Sequence, residues 1–273
     1  MQPFRCFSFT AILLTTLSHE AIELVSAAES KPVLLYSRCF NAKGESRYLP
    51  DGTFKPLLEK LGKEFEVRVH DQLLNSRTLA GVSVVLIANP SDKAVGDNPP
   101  PHHVDKRDIN ELTRFVLGGG GLIVMGNQEN HNLEVDAMNG LLEHFGLQFT
   151  NRFTDAKLLP VPKSTPVIGG LNWGYYTGNQ VLFSANHPAK PRALVMNDLS
   201  IKPASGDRDE PGALMAASEP GKGRVVLITD SGWLADFALD DRGLGGVVLK
   251  GQQNWEIIRR ISHWAARSSE ARP

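Results

Sequence analysis

The chain is poor in cysteine and carries no excess of either charge. Cys6 and Cys39 are the only thiols among 273 residues. Its 29 Lys and Arg are balanced by 30 Asp and Glu, for a net charge of −1. That balance excludes a field drawing the protein onto nucleic acid or an anionic membrane surface. Long hydrophobic runs are also missing. The stretch CFSFTAILLTTL (6–17) is too short to span a bilayer, and nothing later approaches the roughly 20 apolar residues that a spanning helix needs. With Arg5 before it and Val25, Ala27 and Ala28 after it, this stretch reads as a secretory signal peptide covering 1–28. The expected location is therefore secreted or periplasmic, with no membrane association after cleavage. An uncleaved anchor is the alternative, because His19, Glu20 and Glu23 lengthen the cleavage region. Cleavage would remove Cys6 and leave Cys39 without a disulfide partner.

Beyond the leader the pattern is of strands alternating with helices. KPVLLYSRC (31–39) is a nearly continuous run of strand formers, as in a strand buried on both faces of a parallel sheet. FKPLLEKLGKE (54–64) sets Phe54, Leu57, Leu58 and Leu61 at helical spacing, with Pro56 allowed only in a first turn. The alternation continues with strand 65–71, a helical turn near 75–80, strand 82–90, helix 105–119 and strand 121–127. In the second helix Asp105 is a natural cap, and Gly118 suits a left-handed stop. A further helix is expected over 132–146. Such alternation implies a parallel α/β sheet with right-handed crossovers.

After residue 147 the regularity stops. Pro, Gly, Asn and Thr separate short apolar bursts such as QVLFSAN and RALVMND, which predict an irregular β-rich insertion or sheet extension over 147–220. GKGRVVLITDSGWLAD (221–236) returns to a buried strand, and QQNWEIIRRISHWAARS (252–268) reads as a closing amphipathic helix. The expectation is one domain over 29–268, followed by a tail at 269–273.

The ordered pattern resembles the class I glutamine-amidotransferase-like superfamily. It is most similar to the non-amidotransferase branches: the domain shared by intraflagellar-transport and gliding-motility proteins, and the ThuA-like proteins of sugar utilisation. VSVVLIANP, the helix running into FVLGGGGLIVMGN, TPVIGGL, GKGRVVLITDSGWLAD and NWEIIRRISHWAA carry the resemblance across most of 31–268. It implies a flavodoxin-like, three-layer parallel sheet whose site lies at the carboxyl ends of the strands. Open α/β sheets form their crevice there for independent physical reasons.

In the catalytic branch the strand-to-helix elbow carries a cysteine nucleophile. At the corresponding turn this chain reads Gly126-Asn127-Gln128-Glu129, with neither Cys nor Ser. An amide is not a nucleophile for covalent acyl transfer, so no catalytic residue is assigned. Asn127, Gln128 and Glu129 can instead meet a polar ligand or cap the next helix. Asp230 and Ser231, ending a strand, can fix a loop or accept ligand hydroxyls; Arg38 and Asn89 follow the first and third strands and are expected at the same crevice. Trp173, Tyr175 and Tyr176 can stack on sugar rings or pack a loop onto the body. The histidines show no metal-ligand spacing, and no phosphate loop or G-x-S-x-G elbow is present, so no metal and no cofactor are expected. Cys39 has no sign of activation.

The resulting expectation is an exported, non-catalytic ligand-binding or interaction domain, with a polar small molecule or a carbohydrate as ligand and a protein partner also open. The alternatives are an exported sugar-related hydrolase using Asp230, Glu129 or His131, and a structural domain of an envelope assembly.

Overall fold

The computed structural model describes residues 30–150, 154–197, 212–239 and 249–267. The expected signal peptide and the tail lie outside these residues. No helix among the described residues is long and apolar enough to cross a membrane.

From residue 31 onward the described residues form one compact unit. Its first half follows the alternation read from the sequence: β1 (Val33–Ser37), α1 (Lys55–Leu61), β2 (Glu66–His70), β3 (Val84–Ala88), α2 (Lys106–Leu117), β4 (Gly121–Met125) and α3 (Asp136–Leu142). The second half is β-rich: β5 (Leu147–Phe149), β6 (Thr154–Pro160), β7 (Asn172–Gly178), β8 (Val181–Phe183), β9 (Arg192–Met196), β10 (Ala213–Ser218) and β11 (Arg224–Ile228). Two helices close the described chain, the short α4 (Asp236–Leu239) and α5 (Asn254–Ala266). The region near 75–80 makes hydrogen-bonded turns rather than a helix.

One nine-stranded sheet runs in the order β2-β1-β3-β4-β11-β10-β8-β5, with β9 also on β10. The first five of these strands are mutually parallel. From β10 onward the pairing is antiparallel, which realises the predicted extension. β6 and β7 leave the main sheet and form their own antiparallel ribbon.

The central strands are buried throughout because helices or ribbon cover both faces. Alternate residues serve opposite layers: Leu34, Tyr36, Ile123, Met125, Val226 and Ile228 join one apolar cluster with α1, α5 and the ribbon. Leu35, Leu122, Val124, Val225 and Leu227 join the other with α2 and α3. The fold is thus a three-layer, flavodoxin-like α/β arrangement.

Local chemistry sets the helix ends. Asp105 accepts from the N–H groups of Arg107 and Asp108 while Asp108 accepts from Asp105 N–H, a reciprocal cap on α2. The expected left-handed stop falls one residue later than Gly118, whose φ is −72°; Gly119 takes the positive value, +124°. Gly121 opens β4 under α5, where a Cβ would lie 2.5 Å from the Ala265 carbonyl oxygen. The glycine run is therefore a tight reversal beneath a helix.

Candidate functional site

Chain order departs from strand order between β1 and β3, so ligand crevices of open α/β sheets are expected at their carboxyl ends. Here that crevice is sealed by the protein itself. The Asn41 side-chain amide donates to the carbonyls of Ala88 and Asn89, at 3.0 and 2.9 Å. Ser91 N–H donates to the Phe40 carbonyl, and the Ser91 hydroxyl accepts from Ala42 N–H at 3.0 Å. Phe40 is buried in the layer carrying α2 and α3.

The seal continues along the strand ends as a relay of asparagines. Asn89 Oδ1 accepts from Asn127 N–H at 2.9 Å, and its Nδ2 donates to the His131 carbonyl at 2.9 Å. Asn127 Oδ1 accepts from Ser231 N–H, and its Nδ2 lies 2.8 Å from His131 Nδ1. Asn41, Asn89, Asn127 and Ser231 thus tie together the ends of β1, β3, β4 and β11. Asn89 adopts a left-handed φ of +45° to make this turn, a conformation asparagine tolerates better than most residues.

Three of the sequence-derived candidates, Asn89, Asn127 and Ser231, are therefore brought together and hydrogen-bond to one another. Asn89 and Asn127 are locked in the relay, and Ser231 contributes its backbone N–H to it. Gln128 Oε1 accepts from the Thr177 hydroxyl at 2.9 Å, which attaches the elbow to β7. The backbone of Glu129 begins a short 3-10 turn, Glu129–His131; its side chain lies outside the described part.

Asp230 is fully buried and resolves as a loop-fixing group. Its Oδ2 accepts from Tyr176 and Thr177 N–H on β7, and Oδ1 accepts from Gly232 and Trp233 N–H in the following turn. Burial pushes its pKa up to about 7 against the opposing pull of those four amides. Such a carboxylate does not reach a ligand.

Arg38 follows β1 and lines a cavity at the strand ends. Its guanidinium donates to the carbonyls of Tyr48, Arg47 and Glu45, and so acts as a post inside the loop between β1 and α1. That loop also holds a charged pair not read from the sequence. Glu45 is buried and takes two side-chain hydrogen bonds from Arg47, at 2.9 and 2.8 Å. Burial acts to raise the Glu45 pKa, but the bonds from Arg47 hold it below the usual carboxylate range. The i,i+2 spacing of Glu45 and Arg47 carries no periodic signal, so only the folded loop reveals them.

Outside this loop, at the ends of β1 and β2, lies a cavity of about 960 Å3. Arg38, Asn41, Lys43, Glu45, Asp51 and Asp71 are among its lining residues. Both charge signs and an amide face it, and no aromatic ring lines it. Trp173, Tyr175 and Tyr176 belong to the core instead, where Trp173 packs edge-on against Trp233 with centroids 5.6 Å apart. Packing, not sugar stacking, is their role.

Ser231 and His131 do not form a catalytic pair. His131 Nδ1 contacts Asn127, while the Ser231 hydroxyl is buried without a hydrogen-bond partner. The Cys39 thiol is buried beside Ser37, and burial pushes its pKa up to about 12, far from a reactive thiolate. His102, Asp105 and Asp108 approach one another closely enough to share a cation. Their atoms already serve the cap of α2 and a 2.6 Å pair between His102 and Asp108, which accounts for the cluster.

Comparison with known proteins adds to the fold and stops there. The chain matches no protein-family model and no curated protein. Among solved structures it is similar to the mmIFT52 N-terminal domain, at 16% identity and TM-score 0.63, over 86% of this chain and 98% of that one. A ThuA-like protein from Bacteroides uniformis aligns at 11% identity and TM-score 0.52, over 87% of this chain and 93% of its own. A cytoplasmic protein from Salmonella typhimurium LT2 aligns at 14% identity and TM-score 0.50, over 77% and 93%. The chain has the α/β fold that these proteins share.

Proposed function

We propose that the chain is an exported, non-catalytic binding domain of the glutamine-amidotransferase-like superfamily, and that it takes a polar, hydroxyl-rich small molecule such as a carbohydrate. The observation carrying this reading is the elbow after β4. Asn127 stands where the superfamily's catalytic branch has its nucleophile, and both ends of its amide are engaged by Ser231 and His131. The hydrolase alternative loses its best acid for the same kind of reason, since four backbone amides enclose Asp230.

Binding is assigned to the cavity beside β1 and β2. Lys43 offers donors and Asp51 and Asp71 offer acceptors to the same space. Such a mixed lining suits hydroxyl groups, which donate and accept at once, better than an ion of either sign. The ThuA-like and mmIFT52 likenesses agree with a non-catalytic or ThuA-like domain.

The test is thermal-shift screening of the protein against sugars, polyols and nucleotides. A ligand that binds only the folded state at a hundredfold its Kd stabilises it by about 2.7 kcal/mol, a readable rise in Tm. The shift should disappear in Lys43→Ala and Asp71→Ala. A shift unchanged in both variants would move the site elsewhere, and hydrolysis of the hit would overturn the non-catalytic reading.

A further inference from the structure

The orientation of Asn127 is fixed by the backbone. Its Oδ1 faces Ser231 N–H, which can only donate, so Nδ2 must be the atom facing His131. Nδ2 can also only donate. His131 Nδ1, at 2.8 Å, therefore accepts and carries no proton, and the ring proton sits on Nε2. The same residue holds the neighbouring strand through its carbonyl, which accepts from Asn89 Nδ2. One histidine thus meets the ends of β3 and β4 directly, and that of β11 through Asn127.

Protonating the ring would set an N–H against the Asn127 NH2 group. The two side-chain oxygens of the relay already accept hydrogen bonds, Asn127 Oδ1 from Ser231 N–H and Asn89 Oδ1 from Asn127 N–H. The charges bearing on His131 come from the loop after β1. Arg47 opposes protonation and Glu45 favours it; burial, then Arg47, holds the pKa below the ordinary histidine value.

We propose that His131 is a proton-operated latch on the strand-end relay: neutral, it closes the joint between β3, β4 and β11; protonated, it opens that joint. The latch does not depend on which ligand the cavity takes. It predicts that acid loosens Asn127 and Ser231 locally, while the buried sheet beneath, held by backbone ladders, stays paired.

The test follows the His131 ring by NMR across the acid-to-neutral range, together with the exchange protection of the Ser231 amide. The ring should titrate below the ordinary value, and Ser231 protection should fall by about tenfold per unit of coupling as it does so. His131→Asn supplies a non-titrating acceptor and should keep protection flat with pH. Asn127→Asp offers the charged ring a carboxylate and should raise the His131 pKa, reversing the trend. A wild-type ring pKa at or above the ordinary value would overturn the latch. So would Ser231 protection with the same pH dependence in wild type and His131→Asn; if that variant does not fold, the wild-type ring titration still decides.

Discussion

The side-chain oxygen of Asn127 accepts the backbone N–H of Ser231 at 2.5 Å, joining the ends of β4 and β11 across 104 residues of sequence. Both residues are buried, at the turns that follow the two strands. At this turn the asparagine serves cohesion.

Asn127→Ala should be destabilising. It leaves the buried Ser231 N–H without its acceptor and His131 Nδ1 without its donor, and an orphaned buried group costs about 1–3 kcal/mol. Urea unfolding should show a lower midpoint with an unchanged slope. An unchanged midpoint would mean that the relay carries no net stability.

Asp230→Ala should cost more, at least about 3 kcal/mol, because three buried N–H groups and the part-buried one of Thr177 lose one shared acceptor. Loss of the Tyr176 and Thr177 bonds should also free β7 from the main sheet. Faster amide exchange at those two residues in the variant is the expected sign, and exchange matching wild type would contradict it.

Asp230 also fixes a sign for pH dependence. Its folded pKa of about 7 exceeds the ordinary aspartate value, so the folded state holds the proton more tightly than the unfolded one. Its contribution should therefore decline as pH rises from about 4 towards 7 and then level off. His131 has the opposite sign: its lowered pKa makes stability fall as pH drops below the ordinary histidine value. Urea titrations of wild type and Asp230→Asn across this range isolate the first term. Wild-type stability that rises relative to Asp230→Asn as pH rises would show that the four amides outweigh burial.

Gly121→Ala should destabilise through a single atom. The added Cβ would meet the Ala265 carbonyl at 2.5 Å, so either α5 or β4 must shift. Gly81→Ala meets no atom within 4 Å and serves as a control for backbone strain alone, its φ being +73°. Equal Tm losses in the two variants would remove the steric explanation for Gly121.

Much of the scaffold was legible in the sequence because strands buried on both faces, capped helices and apolar stripes are local patterns. Asp105, Pro56 and the VVLIA and GLIVM runs needed no tertiary information. The helix expected over 132–146 shrinks to α3 and a following 3-10 turn, Glu143–Phe145, ended by left-handed Gly146. The strand-end candidates Asn89, Asn127 and Ser231 meet, since topology alone places strand ends together. What they do was not legible. Whether an asparagine faces a ligand or another asparagine depends on hydrogen bonds between residues 38 to 104 positions apart. Arg38 lines a strand-end cavity, but nothing local shows the loop carbonyls of Glu45, Arg47 and Tyr48 that fold back onto it. The aromatic cluster Trp173, Tyr175 and Tyr176 allowed two readings until the ribbon was seen to bury it. The cavity beside β2 arises because the loop containing Glu45 and Arg47 closes one crevice and walls another.

The central claim is that the strand-end relay presents no group able to attack an acyl or glycosyl centre. Its most direct test is peptide mapping by mass spectrometry after native-state incubation with acylating, alkylating and fluorophosphonate probes. The account predicts no adduct on peptides spanning 126–131 or 229–234, and none on Cys39 until the protein is unfolded. A stoichiometric covalent adduct on either strand-end peptide of the folded protein would contradict it.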